Sequence, residues 1–186
     1  MSVAGDSVTL PSSAEAPAEA EPPQRLQLAI VEEDGDWSGF GDLPDAVHQV
    51  AAALARHRHL ALPPGSEASV VLGSDALLRR LNRTYRGKDA PTNVLSFPYQ
   101  PPPGAAGHAG GYLGDVVLAA ETVRTEAAER GVAPGHHLQH LVVHGLLHLL
   151  GFDHQTEAEA DAMEGLETDV LAAIGIADPH APAAAP

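Results

Sequence analysis

The segment "HGLLHLLGFDH" (144–154) sets three imidazoles, His144, His148 and His154, inside an otherwise apolar run. On an α-helix, residues four apart share a face, with roughly 5–6 Å between their Cβ atoms. His144 and His148 can therefore offer two nitrogens to one metal ion. Gly151 permits the left-handed turn that ends a helix and doubles the chain back. His154 can then supply a third nitrogen from the loop. Three protein ligands with one open position is the layout of a catalytic zinc site, so one Zn2+ per chain is expected. The offsets match the extended H-E-x-x-H-x-x-G-x-x-H metalloprotease signature except where Gly145 stands in place of the glutamate. Metalloproteases use that glutamate as general base. Without it, peptide hydrolysis loses its usual proton acceptor. Zinc alone can still bring its water to a pKa of ~7, which suits a substrate whose own anionic oxygens take part. Phosphodiesters qualify.

His140 extends the stripe, so that His140, His144 and His148 run i, i+4, i+8. A straight helix rises ~6 Å between such neighbours, so the outer two cannot easily share one ion. His154 is therefore preferred as third ligand, and His140 is assigned to the wall of the site or to proton shuttling. The general base stays open among Asp115, Asp153 and His140.

"LNRTYRGKDAPTNVLSFPYQ" (81–100) is the second unusual stretch. Arg79, Arg80, Arg83, Arg86 and Lys88 crowd a helix end and the turn after it. Bases near a helix C-terminus favour the dipole, which accounts for one or two of them. Arg86 differs, because Gly87 follows at once and a tight turn can project its guanidinium over a cleft. That planar fork matches phosphate bidentately.

These side chains need a scaffold. "RLQLAIV" (25–31), "ASVVLG" (68–73), "NVLSFPY" (93–99) and "YLGDVVLA" (112–119) read as four strands. A helix starting near Pro44 and Asp45 carries Val47, Val50, Ala51 and Leu54 on one face. Ser74 caps another, with the apolar stripe Leu77, Leu78, Leu81 and Tyr85. A short helix covers about Glu121 to Glu129. The histidine helix spans about His136 to Leu150. The last opens on a Thr156/Glu159 capping box and buries Met163, Leu166, Val170 and Ile174. Interleaved helices and strands predict a single sheet packed by helices, although strand order is not legible.

A chain of 186 residues suits one well-buried core. It has no cysteine, so any metal must be held by nitrogen and oxygen. The net charge of −15 is uneven: ten acids face one base in residues 1–46, and eight acids face none from 153 onward. Between Arg56 and Lys88, seven bases face two acids. Because fields are screened beyond ~10 Å, this central block keeps nucleic acid open as a partner. No apolar run approaches the ~18 residues of a membrane span, and no secretory signal is visible. A soluble cytoplasmic protein is expected. Residues 1–24 read as a disordered, acidic, Ala/Pro-rich extension, 25–178 as a single metallo-hydrolase domain, and 179–186 as a disordered tail. The Gly/Pro loop at 101–111 is expected to be mobile.

Taken together, "LNRTYRGKDAPTNVLSFP", "LGDVVLA" and "HLVVHGLLHLLGFDH" resemble the YbeY family of bacterial single-strand-specific metallo-endoribonucleases. The likeness spans roughly residues 25 to 178. It implies an α+β fold, with a single mixed β-sheet packed by helices and a zincin-like helix carrying the metal ligands. It also implies zinc held by His144, His148 and His154 and a functional Arg86; the basic block itself adds expected RNA contacts from Arg83, Arg86 and Lys88. The implied role is maturation of the small-subunit ribosomal RNA 3′ end and ribosome quality control, with single-stranded RNA and the ribosomal small subunit or its proteins as partners. Two other readings compete: a metal-containing ribosome assembly factor that does not cleave RNA, and a metallopeptidase, which Gly145 and the basic block disfavour.

Overall fold

Alternation along the strands gives the sheet two faces of unequal depth. The computed structural model describes residues 25–101 and 111–181. The expected disorder of residues 1–24, most of the 101–111 loop, and residues 182–186 lie outside that description. In chain order the elements are β1 (Leu26–Glu32), α1 (Leu43–Arg56), β2 (Ser66–Gly73), α2 (Asp75–Arg86), β3 (Val94–Pro98), β4 (Tyr112–Ala119), α3 (Ala120–Arg130), α4 (Pro134–Leu149) and α5 (Glu157–Ala172). The sheet runs β1-β2-β4-β3. β1, β2 and β4 are parallel, and β3 returns antiparallel beside β4. The fold is therefore α+β, with one mixed sheet packed by helices.

Leu28, Val70, Leu72, Val116 and Leu118 point to one face and form the large core with α1, α4 and α5. Leu95, Val117 and Ala119 point to the other and meet Leu78 of α2 in a smaller cluster. This second layer is thin: Leu78 is fully buried, while Leu77, Leu81, Val71 and Phe97 are only partly covered. Tyr85, read from periodicity as part of the α2 stripe, is 64% exposed. The stripe runs past the part of the sheet that α2 covers.

The expected caps are present. Ser74 accepts from the Leu77 backbone N–H, and Thr156 and Glu159 make both bonds of a capping box. β2 begins two residues earlier than its apolar run suggests, because Gly65 turns the chain at φ 70° and Ser66 Oγ donates to the Pro63 carbonyl at 2.7 Å. α4 likewise starts at Pro134, a residue suited to a first turn whose N–H groups have no partner anyway. Among the described residues no helix is long and apolar enough to cross a membrane.

Candidate metal centre and cleft

α4 is buried on nearly every side, packed by α1, α3, α5 and the β3–β4 end of the sheet. His144 and His148 face its less covered side and are half-buried. The helix ends at Leu149, and Gly151 takes φ 92°, where any other residue is strained. This reversal returns the Phe152 carbonyl to within 3.0 Å of His148 Nδ1 and brings His154 back to the helix. His144, His148 and His154 each bring one potential ligand nitrogen within 4.8 Å of the others.

Hydrogen bonding fixes which nitrogens point inward. The Phe152 carbonyl can only accept, so His148 Nδ1 must carry a proton. Glu167, 1% exposed on α5, lies 2.7 Å from His144 Nδ1 through Oε1. Burial alone would raise the Glu167 carboxyl, but hydrogen bonds from His140 and His144 outweigh it and hold it far below the usual carboxylate range. Glu167 is thus ionised and accepts, and His144 Nδ1 carries its proton too. With both Nδ1 atoms engaged in this way, the two Nε2 atoms are left to face each other at 3.1 Å. Burial, and then the neighbouring His144, lower the His148 pKa, which keeps that ring neutral. Two ring nitrogens converging in this way suit a shared cation. A borderline metal ion bound by nitrogen fits this donor set, with outer hydrogen bonds orienting each ring as in metal–histidine sites generally.

The histidines open into a cleft of about 550 Å³ lined by Arg86, Ser96, Pro98, Asp153 and Gln155 as well as the metal candidates. Arg86 closes α2, and Gly87 caps it in the left-handed conformation at φ 70°. Arg86 has no ion-pair partner among the described residues, whereas Arg79 is engaged by Asp89 at 2.8 and 3.1 Å. Arg83 and Lys88 are exposed nearby, outside the cleft lining.

Residues 41–175 match the family described as endoribonuclease YbeY. The endoribonuclease YbeY of Azorhizobium caulinodans is 48% identical over 160 residues, covering 84% of this chain and 97% of that protein. That of Rhodospirillum rubrum is 47% identical over 171 residues, covering 87% and 84%. The chain belongs to the endoribonuclease YbeY family. A solution structure from Thermotoga maritima aligns with TM-score 0.49 and 20% identity over 84% of this chain and all of that one.

Within this YbeY-family chain, Gly145 has a packing role that the missing glutamate conceals. A Cβ there would stand 2.5 Å from Val116 Cγ1 and 3.0 Å from Ser96 Oγ, whose hydroxyl donates to the Gly145 carbonyl. The position faces the sheet, so a glutamate has no room. Of the three general-base candidates, Asp153 alone lines the cleft; hydrogen bonds from the His154 N–H and the Gln155 side chain lower its pKa. Asp115 lies in a neighbouring groove and accepts from Tyr112 at 2.6 Å. His140 is turned away, onto Glu167 at 3.2 Å and into a cavity of about 470 Å³ behind the helix. Its link to the cleft runs through Glu167.

Glu167 is the residue that sequence reasoning missed. Besides His140 and His144 it meets His180 at 2.6 Å, so ordered contacts continue past Asp178, where the tail was expected to begin. His140, Glu167 and His180 also bring ligating atoms within 4.8 Å of one another. Their hydrogen bonds already account for that arrangement, as one carboxylate holding three imidazoles.

Proposed function

We propose that this chain is a zinc-dependent, single-strand-specific endoribonuclease. Its proposed task is maturing the 3′ end of small-subunit ribosomal RNA and taking part in ribosome quality control in the cytoplasm, with residues 25–178 as the catalytic unit. The observation that carries the reading is the meeting, in one cleft of a YbeY-family chain, of three converging imidazoles and an arginine with no ion-pair partner among the described residues. His144, His148 and His154 would hold the ion. When bound, zinc supplies Lewis acidity toward a phosphoryl oxygen and acidifies water beside it. Arg86 engages the non-bridging oxygens of the scissile phosphate with its planar fork and steadies the charge that develops on them. Asp153, held ionised by its hydrogen bonds, is a weak proton acceptor and suits orienting His154 better than general-base catalysis.

The test uses zinc-loaded chain with single-stranded RNA, a 3′-extended small-subunit ribosomal RNA precursor, and casein. Cleavage of both RNAs and not of casein is expected. His148→Ala should lose the metal and the activity together. Arg86→Ala should keep the metal and melting temperature yet lose cleavage, and Arg86→Lys should recover little because an ammonium cannot make the paired contact. Absence of RNA cleavage by loaded wild type would leave a binding-only assembly factor as the better reading.

A further inference from the structure

A second groove of about 790 Å³ adjoins the histidine cleft, sharing Arg86, Ser96 and Pro98 with it. It lies on the thin α2 side of the sheet, floored by Val71, Phe97 and Val117, with Tyr85 and Asp115 on its walls. Tyr85 sits at an apolar-stripe position of α2, yet most of its ring is open, and it meets Phe97 edge-to-face at 5.1 Å and 66°. An apolar floor with an open aromatic ring offers a stacking surface for a flat heterocycle. The charges divide the space. Arg86 stands on the rim shared with the histidines, where a phosphate is favoured, whereas the Asp115 carboxylate repels phosphate from the groove itself and can accept from an exocyclic amine.

We propose that this groove is a nucleobase site: it takes one unpaired base of the RNA strand, stacked on Tyr85, while the adjoining phosphate lies between Arg86 and the histidine cleft. The assignment rests on the ribonuclease reading above and adds a physical origin for single-strand preference. A base paired inside a duplex cannot turn out onto Tyr85 without unstacking, so duplex RNA pays that cost and an unpaired strand does not.

The experiment measures steady-state cleavage by the zinc-loaded full chain of a short single-stranded RNA, and of the same RNA made abasic at each nucleotide flanking the cut in turn. Tyr85→Ala should raise KM about ten-fold, the size of one lost stacking contact, with the larger share of the effect in KM rather than kcat. Tyr85→Phe should recover most of that loss because the ring remains. One abasic substrate should raise the wild-type KM to the Tyr85→Ala level, and the variant should lose nothing further on it. Metal content and melting temperature of each variant exclude a folding defect, which the exposure of Tyr85 makes unexpected. The proposal is overturned if Tyr85→Ala keeps the wild-type KM, if Tyr85→Phe is as impaired as Tyr85→Ala, or if the variant and the abasic losses add. If wild type cleaves no RNA, the ribonuclease reading fails and the groove assignment with it. Wild-type cleavage with an unaffected Tyr85→Ala removes the groove assignment alone.

Discussion

A single buried carboxylate organises the histidines. Glu167 accepts from His144 through Oε1 and from His140 and His180 through Oε2, so it sets the ring that points Nε2 at His148. Glu167→Gln keeps the shape but replaces one acceptor oxygen by a donor, which conflicts with the imidazole N–H groups around it. Zinc affinity should fall 10- to 100-fold, measured by competition with a chromophoric chelator; an unchanged affinity would remove Glu167 from the metal centre. The same residue predicts a pH effect in metal-free protein. Its folded pKa is depressed, so its contribution to stability is present above the unfolded value and lost as pH falls toward the folded one. The stability gap between wild type and Glu167→Gln, read by urea denaturation, should hold steady at higher pH, begin to narrow as pH falls to the ordinary glutamate value near 4.5, and go on narrowing through about pH 3. A signal for Glu167 did exist in the sequence. It falls four residues after Met163 and three before Val170, on the apolar face of the last helix. A lone carboxylate in such a stripe is costly unless paired, and its partners lie on another helix, which spacing alone does not reach.

At the scale of elements, α4 is read well from sequence and its surroundings are not. The 3.6-residue period, the i, i+4 histidines and the glycine turn are local, so they survive translation into structure. The packing of α4 on β3 and β4 depends on strand order, which no local pattern carries. Gly145 shows the difference: from sequence it is the place of an absent base, and in the fold it is where helix and sheet touch. Gly145→Ala should therefore destabilise by about 1–3 kcal/mol through overpacking against Val116 and Ser96. Gly151→Ala meets open space, so its cost of roughly 1–2 kcal/mol comes from the left-handed backbone alone. Because that turn also returns Phe152 and His154, Gly151→Ala should weaken zinc binding as well. Denaturation midpoints and metal titrations of both variants separate the two effects. A Gly151→Ala chain with wild-type stability and metal affinity would mean the turn does not position the third histidine.

Across the whole molecule, an acidic chain presents a small basic face to its proposed substrate. The net charge of −15 belongs chiefly to the two ends, while Arg83, Arg86 and Lys88 cluster at the exit of α2 beside the cleft. This charge layout was legible from residue order, because α2 and its turn keep neighbours in sequence as neighbours in space. The shared rim of the two grooves was not legible, since it needs α2, β3 and α4 to converge. Three bases near one strand set a modest electrostatic footprint. Each phosphate neutralised on single-stranded RNA contributes a slope of about −0.7 in log K against log salt, so the total should be about −2. Arg83→Ala should lower it by about 0.7 without abolishing cleavage, because that residue lies outside the cleft lining. The measurement is fluorescence anisotropy of labelled single-stranded RNA over a salt series. A slope near zero would mean that binding does not use this basic face. A slope steeper than about −4 would require more phosphate contacts than the three bases supply.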